Sequence, residues 1–298
     1  MIVIIGKSGQ VARACVALCE AEKQPYRCFG RDDINLLDSA DIASKLEPLE
    51  NIQGIINTAA YTAVDKAEDE REAAFALNAQ AVINLVDFCR RQTLYFVHIS
   101  TDYVFSGEAL SPYLPTTSYA PINTYGESKM AGEKAVAEVY SENACILRTS
   151  WVYSECGHNF VKTMLRLFAT RNELNVVMDQ VGAPTSAHTL ARVCLQSVKQ
   201  RLIGVHHACD LGVTSWFDFA IAIYQQAQGL GLISQPVQIN PITSDQFPTP
   251  AKRPHYSVLS TASLRQALPT LNLPHWQAAL TDVMNKINDE IKNTENDR

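Results

Sequence analysis

The chain has 298 residues, of which 47% are hydrophobic, so it can bury one large core or two moderate ones. Its net charge of −6 and pI near 5.7, without any basic run, argue against nucleic-acid binding. Because no charged-then-apolar leader and no apolar stretch of about 18 residues is present, we expect no signal peptide and no membrane span.

The first half of the chain alternates short apolar runs with helical patterns. Strands are predicted at residues 1–5, 26–29, 54–57, 94–99 and 145–149, and helices at 9–22, 66–91 and 124–140. Strands that alternate with helices predict an α/β fold, a Rossmann-like, doubly wound parallel sheet covered on both faces.

The second half is less regular. Helices are predicted at residues 159–170, 187–200, 215–228 and 276–291, strands at 176–178 and 205–208, and a proline-rich irregular loop at 242–255. We therefore expect a dinucleotide-binding domain at residues 1–149. Residues 150–298 are expected to form mainly a smaller α/β substrate lobe, with 179–210 returning to the first domain.

The cysteine residues show no Cys-x-x-Cys spacing, and most of them lie in apolar stretches. This usage predicts reduced thiols in a reducing compartment, the cytoplasm, rather than a disulfide framework or a zinc site.

A glycine turn follows the first strand and opens the first helix. Gly6 and Gly9 permit a tight turn and close approach of a pyrophosphate, which would face the free N–H groups of the helix at Gln10 and Val11. An ordinary strand–helix turn is the alternative. After the second strand, Arg31 is suited to a 2′-phosphate and favours NADPH, although the acidic residues that follow leave NADH possible.

A tyrosine and a lysine four residues apart, Tyr125 and Lys129, lie on one face of the helix predicted at 124–140. A nearby ammonium lowers the pKa of a phenol, so we expect Lys129 to tune Tyr125 as an acid/base for carbonyl reduction. Thr101 follows the fourth strand and would hydrogen-bond the same substrate oxygen. A solvated helix face is the alternative for the pair, and a backbone cap is the alternative for the hydroxyl.

Taken together, these motifs resemble the extended short-chain dehydrogenase/reductases, and among them the dTDP-4-dehydrorhamnose reductase family. The segments that carry the closer resemblance are residues 59–68, 148–153, 159–165, 179–185 and 248–254. The resemblance implies reduction by NADPH of the C4 keto group of dTDP-4-dehydro-L-rhamnose, which supplies rhamnose for cell-surface polysaccharide such as O-antigen.

The resemblance also implies a role for each matching residue. The implied catalytic residues are Thr101, Tyr125 and Lys129. The implied cofactor contacts are Gly6, Gly9, Gln10, Val11, Arg31, Asn35, Leu36, Ala59, Ala60, Tyr61, Tyr125 and Lys129, and the implied substrate contacts are Thr101, Asp102, Trp151 and Arg253.

Some family members hold magnesium between subunits through glutamates, but the matching positions here are Ala14 and His188. Neither side chain suits a cation that prefers carboxylate oxygens. We therefore expect no intersubunit magnesium, and a monomer or weak homodimer.

Two alternatives stay open at this point. One is another sugar-nucleotide reductase or epimerase of the same superfamily; a dehydratase is disfavoured because Asp102 is followed by Tyr103 instead of a second acid. The other is a non-catalytic dinucleotide-binding regulatory subunit, which resembles this family without requiring turnover.

Overall fold

The strands of the chain are short and mostly apolar. A computed structural model describes the backbone of residues 1–296 and the side chains of residues 1–293. The strands are β1 (Ile2–Ile5), β2 (Tyr26–Phe29), β3 (Gly54–Asn57), β4 (Tyr95–Thr101), β5 (Ala144–Thr149), β6 (Val152–Tyr153), β7 (Glu173–Val177), β8 (Val181–Gly182), β9 (Thr185–Ser186), β10 (Gly204–His207), β11 (Thr214–Ser215) and β12 (Gln238–Ile242).

Five of the ten α-helices begin after a residue whose side chain accepts a hydrogen bond from a free backbone N–H group. The α-helices are α1 (Gln10–Ala21), α2 (Ser39–Leu46), α3 (Arg71–Phe75), α4 (Ala81–Arg91), α5 (Thr124–Tyr140), α6 (Phe160–Phe168), α7 (Ala187–Gln200), α8 (Trp216–Gly229), α9 (Ala262–Ala267) and α10 (Trp276–Asn296). Side chains of Asp38, Asn123, Asn159, Ser186 and Ser215 cap α2, α5, α6, α7 and α8 respectively.

The central sheet contains six parallel strands in the order β10-β5-β4-β3-β1-β2, which confirms the predicted fold class. One apolar core lies between this sheet and helices α1 and α7, and a second lies between its other face and α2, α4 and α5. Because β2 lies on one side of β1 and β3 on the other, the direction of chain progression reverses at β1, and such a reversal leaves a ligand-binding crevice.

A third core belongs to the second half of the chain. It joins α6, α8 and α10 to β7 and β12, which pair in parallel. The strand β10 instead pairs with β5 in the central sheet, and α7 packs against that sheet. Among the described residues, no helix combines the length and the apolar character needed to cross a bilayer.

Several predicted boundaries are wrong. The helix predicted at 66–91 is divided into a 3-10 turn (Lys66–Glu68), α3, a π-helical segment (Ala76–Gln80) and α4. The strand predicted at 176–178 is β7, which begins and ends earlier. Helices α2 and α9 were missed, as was β12, which directly precedes the irregular 242–255 segment.

A fully buried ion pair anchors α5 to the central sheet. Arg148 of β5 and Glu133 of α5 are 2% and 0% exposed and lie 2.7 Å apart. The Glu133 carboxylate also accepts hydrogen bonds from Ser100 and Tyr119. Charges buried this deeply persist only when they are paired and hydrogen-bonded.

We expect Glu133→Gln to lower the free energy of unfolding by about 3–5 kcal/mol, because Arg148 would keep a buried, unneutralised charge. The matched control is Glu127→Gln on the same helix, whose exposed ion pair with Arg71 should contribute less than about 1 kcal/mol. Urea unfolding of both variants measures the difference. Equal losses would show that the buried pair does not anchor the helix.

Candidate active site

The crevice at the chain reversal is formed by the turn after β1 and the residues after β3. Gly6 has φ +112°, and a Cβ atom there would lie 2.5 Å from the Thr58 hydroxyl and 2.9 Å from the Ala59 nitrogen. Only glycine fits both this conformation and this close approach. Gly9 precedes α1, and no side chain of the described residues caps that helix. Its first N–H groups are therefore free to receive a phosphate.

A cavity of about 320 Å³ occupies this crevice. Of the residues predicted to bind the cofactor, those that line it are Gly6, Gly9, Arg31, Asn35, Leu36, Ala59 and Ala60. The predicted residues outside the cavity wall, among those described, are Gln10, Val11, Tyr61, Tyr125 and Lys129. The Gln10 side-chain oxygen instead accepts hydrogen bonds from Ser154 and Asn159 in the second half of the chain.

The charged groups beside the cavity favour a phosphate. Arg31 is exposed at the rim, and its guanidinium has no hydrogen bond or ion pair within the described part of the chain. Asp33, by contrast, accepts a hydrogen bond from the Gly30 N–H at 2.8 Å and pairs with Lys7 at 3.4 Å. The hydrogen bond from Gly30 and the Lys7 ammonium both lower the pKa of Asp33. The Asp33 carboxylate is thus engaged while the Arg31 guanidinium stays available.

Tyr125 lies in the first turn of α5 and is only 9% exposed. The Asn123 side chain accepts from the Gly126 N–H and donates to the Lys252 carbonyl, which ties this helix start to the second lobe. A Cβ atom at Gly126 would lie 2.2 Å from the Tyr103 carbonyl oxygen. Glycine therefore lets the start of α5 approach the residues after β4, and Tyr103 contacts the Tyr125 ring edge-to-face.

The electrostatic relation expected between Tyr125 and Lys129 is wrong. Burial raises the pKa of Tyr125 to about 12; the Thr101 hydroxyl opposes this shift and the Asp102 charge adds to it. Lys129 Nζ instead donates to the Ile99 carbonyl at 2.7 Å and lies 3.4 Å from His98. The lysine is turned toward the sheet, and its own pKa is lowered to about 8 by burial.

Thr101 ends β4 and Asp102 begins the turn that follows, and both lie beside the tyrosine. Thr101 donates to Asp102 Oδ1 at 3.0 Å, while the buried Oδ2 has no hydrogen-bond partner among the described residues. Burial raises the pKa of Asp102 to about 7. A buried acceptor without a partner is costly, and a polar ligand group at this position would satisfy it.

Arg253 lines a second cavity of about 540 Å³, together with Lys252 and Gln180. Both of its terminal nitrogens donate to the Asp65 carboxylate, at 2.8 and 2.7 Å. This pairing was not predicted from the sequence, because Asp65 precedes Arg253 by 188 positions. The Asp65 carboxylate holds the guanidinium in place.

Trp151 lies at the junction between β5 and the second lobe. Its ring stacks on Trp216 with centroids 3.6 Å apart, and its φ of +47° is unusual for a large side chain. A Cβ atom at Gly182 would lie 2.7 Å from the Trp151 ring. Trp216 was not predicted as a site residue from the sequence, which placed it only in the helix at 215–228.

The positions matched to the family's magnesium site do not resemble a hard-cation site. Ala14 carries no ligand atom, and His188 Nε2 contacts a Glu155 carboxylate oxygen at 2.8 Å. No group of three or more His, Cys, Asp or Glu residues within the described residues is arranged to hold a metal ion. The absence of an intersubunit magnesium stays a prediction.

Comparison with known proteins gives consistent matches along the chain. A family model described as RmlD substrate binding domain matches residues 1–288. The dTDP-4-dehydrorhamnose reductase of Shigella flexneri is 40% identical over 297 residues, covering 96% of this chain and 97% of that protein. The enzyme of that name from Escherichia coli K12 is 42% identical over 238 residues, 78% of this chain and 79% of that protein.

A solved structure gives a similar result. The crystal structure of dTDP-4-dehydrorhamnose reductase from Bacillus anthracis in complex with NADP has a TM-score of 0.89 and 34% sequence identity to this chain. The alignment covers 96% of this chain and 98% of that one.

We expect Gly126→Ala to destabilise the chain by about 1–3 kcal/mol, because the added methyl group meets backbone that cannot rotate away. Gly229→Ala is the matched control. It adds a methyl group at the end of another helix, where nothing lies within 4 Å, and should be neutral or slightly stabilising. Chemical denaturation compares the two, and an undisturbed Gly126→Ala variant would contradict the close approach of α5.

Proposed function

The chain belongs to the RmlD substrate binding domain family, and from that premise we propose that it reduces the C4 keto group of dTDP-4-dehydro-L-rhamnose to give dTDP-L-rhamnose. The resemblance expected from the sequence is confirmed. The observation that carries the proposal is the arrangement of Thr101 and Tyr125 at the carboxyl end of β4, next to a cofactor crevice, in a chain that matches its relatives nearly end to end.

The residues of the crevice fit NADPH. The free N–H groups at the start of α1 would receive the pyrophosphate, Arg31 the 2′-phosphate, and residues around Leu36 the adenine. When bound, this cofactor supplies a hydride to the keto carbon. Ala59 and Ala60 would lie against it, because small side chains leave the backbone accessible.

We assign the proton-transfer step to Tyr125. Its phenol is protonated well above neutral pH, so it can give its proton to the substrate oxygen as negative charge develops there. Thr101 would donate a hydrogen bond to the same oxygen and stabilise that charge. Lys129 would contribute its positive charge to the centre and bond the nicotinamide ribose, as the family resemblance implies.

The remaining polar groups suit the sugar nucleotide. Asp102 Oδ2 would accept from a sugar hydroxyl, which satisfies an otherwise unpaired buried oxygen. Trp151 would contact the sugar, and Arg253, oriented by Asp65, would pair with the diphosphate through its planar guanidinium. The lobes would divide near residue 149, with 179–210 returning to the first.

We propose a monomer or weak homodimer without an intersubunit metal, because Ala14 and His188 replace carboxylates at the matching positions. All eight cysteines are free thiols, which supports a reducing compartment such as the cytoplasm.

The proposed reaction is tested by incubating the chain with dTDP-4-dehydro-L-rhamnose and excess NADPH. We expect NADPH to be consumed in a one-to-one ratio with the keto sugar. An epimerase would change the sugar without net consumption, and a regulatory subunit would bind NADPH without oxidising it. Either result would refute the proposal.

We expect Tyr125→Phe to lower turnover by about 100-fold or more, because the substrate oxygen loses its proton donor. NADPH affinity should stay close to that of the original chain. Tyr140→Phe, at the other end of the same helix, is the control and should retain activity, since its hydroxyl accepts a hydrogen bond from Asn143 in the turn after that helix. Near-normal turnover by Tyr125→Phe would remove the tyrosine from the mechanism.

We expect Arg31→Ala to raise KM for NADPH about 10-fold, the effect of losing one hydrogen bond to a charged group. KM for NADH should change little, since NADH has no 2′-phosphate. Arg27→Ala, an exposed arginine of β2, is the control. If Arg31→Ala weakened both cofactors equally, Arg31 would not be the 2′-phosphate ligand.

A further inference from the structure

His98 occupies the centre of β4 directly behind the proposed catalytic pair, and it is completely buried. Its Nδ1 lies 3.3 Å from the side-chain nitrogen of Asn57 on β3, and its Nε2 lies 3.4 Å from Lys129 Nζ. The hydrogen bonds thus form a continuous chain from β3 through β4 to α5. The proposed reaction assigns no role to this histidine.

The tautomer of His98 follows from the backbone. Asn57 Oδ1 accepts a hydrogen bond from the Ala59 N–H at 3.1 Å, and a backbone N–H requires an oxygen there. The amide nitrogen of Asn57 must therefore face His98 and donate to Nδ1. Burial lowers the pKa of His98 well below its usual value, so the ring is neutral. Its single proton must then lie on Nε2.

In this tautomer the Nε2–H of His98 points toward the Lys129 amine. An ammonium group has three donors and no acceptor, so it cannot bond to that N–H, whereas a neutral amine can accept from it while still donating to the Ile99 carbonyl. Two further titratable groups near Lys129 lie on its own helix, Tyr125 one turn before it and Glu133 one turn after. Glu133 favours the charged amine, but that carboxylate is already paired with Arg148.

We propose that His98, locked by Asn57 into the Nε2–H tautomer, is a positioning residue that sets the charge of Lys129. The inference rests on the proposed function, because Lys129 acts in the reduction there. Burial already lowers the pKa of Lys129, and His98 adds to that effect by stabilising the neutral amine. The ammonium needed for reduction is then present below about pH 8 and is lost as the pH rises through that value.

The test is the pH dependence of kcat/KM for the keto sugar at saturating NADPH. The original chain should lose activity near pH 8. In His98→Leu the amine loses its donor, so the alkaline limb should move up by roughly one pH unit. Asn57→Asp should move it the same way, because a carboxylate accepts from both Ala59 and Nδ1–H, which turns Nε2 into an acceptor for the ammonium.

His207→Leu is the matched control. His207 is an equally buried histidine, but it lies on β10 against Phe105. Its replacement should lower stability without moving the alkaline limb, so a purely structural effect is separated from an effect on Lys129. An unchanged limb in both His98→Leu and Asn57→Asp, or an equal shift in His207→Leu, would overturn the proposal.

A second measurement needs neither activity nor a variant. In protein labelled with ¹⁵N-histidine, the NMR signals of His98 should show a bare Nδ1 and a protonated Nε2 throughout the neutral range. The opposite tautomer would overturn the proposal even if the reductase activity is established. Failure of the original chain to oxidise NADPH would refute the proposed function instead, and the tautomer would still be decided by the spectrum.

Discussion

The close packing of α5 against the central sheet is the constraint on which the rest of this structure depends. It buries both Lys129 and Tyr125. Gly126 and Gly132 let the same helix approach the Tyr103 carbonyl after β4 and the Asn78 carbonyl of the π-helical segment, since a Cβ atom at either glycine would lie 2.2 Å from that oxygen. The buried Arg148–Glu133 ion pair joins the same helix to β5 of the central sheet. A phenol held this way keeps its proton, which a donor to a developing alkoxide requires.

The two halves of the chain meet through polar contacts that are spread along the sequence. Asp65 holds Arg253, Asn123 donates to the Lys252 carbonyl, and Gln10 at the start of α1 accepts from Ser154. Each contact joins a residue of the first half of the chain to a segment of the second half. The proposed sugar-nucleotide contacts are therefore coupled to residues beside the proposed cofactor crevice.

Sequence patterns within a few residues predicted the structural features that depend only on neighbouring residues. The β-branched run of β1, the glycine turn and the Tyr125–Lys129 spacing can each be read within a few positions, and the glycines of that turn line the cavity beside β1. The direction of the Lys129 side chain could not be predicted in this way, because it depends on the Ile99 carbonyl and on His98 in a neighbouring strand. The Asp65–Arg253 pair and the Trp151–Trp216 stack were missed for the same reason, since they join positions far apart in the chain.

The central claim is that one substrate oxygen meets the hydroxyls of both Tyr125 and Thr101 at the end of β4. A crystal structure of the chain with NADP⁺ and dTDP-L-rhamnose tests it most directly. The account predicts the C4 oxygen of the sugar within about 3 Å of Tyr125 Oη and Thr101 Oγ1. A sugar bound in the same cavity with its C4 oxygen directed away from both hydroxyls would contradict it.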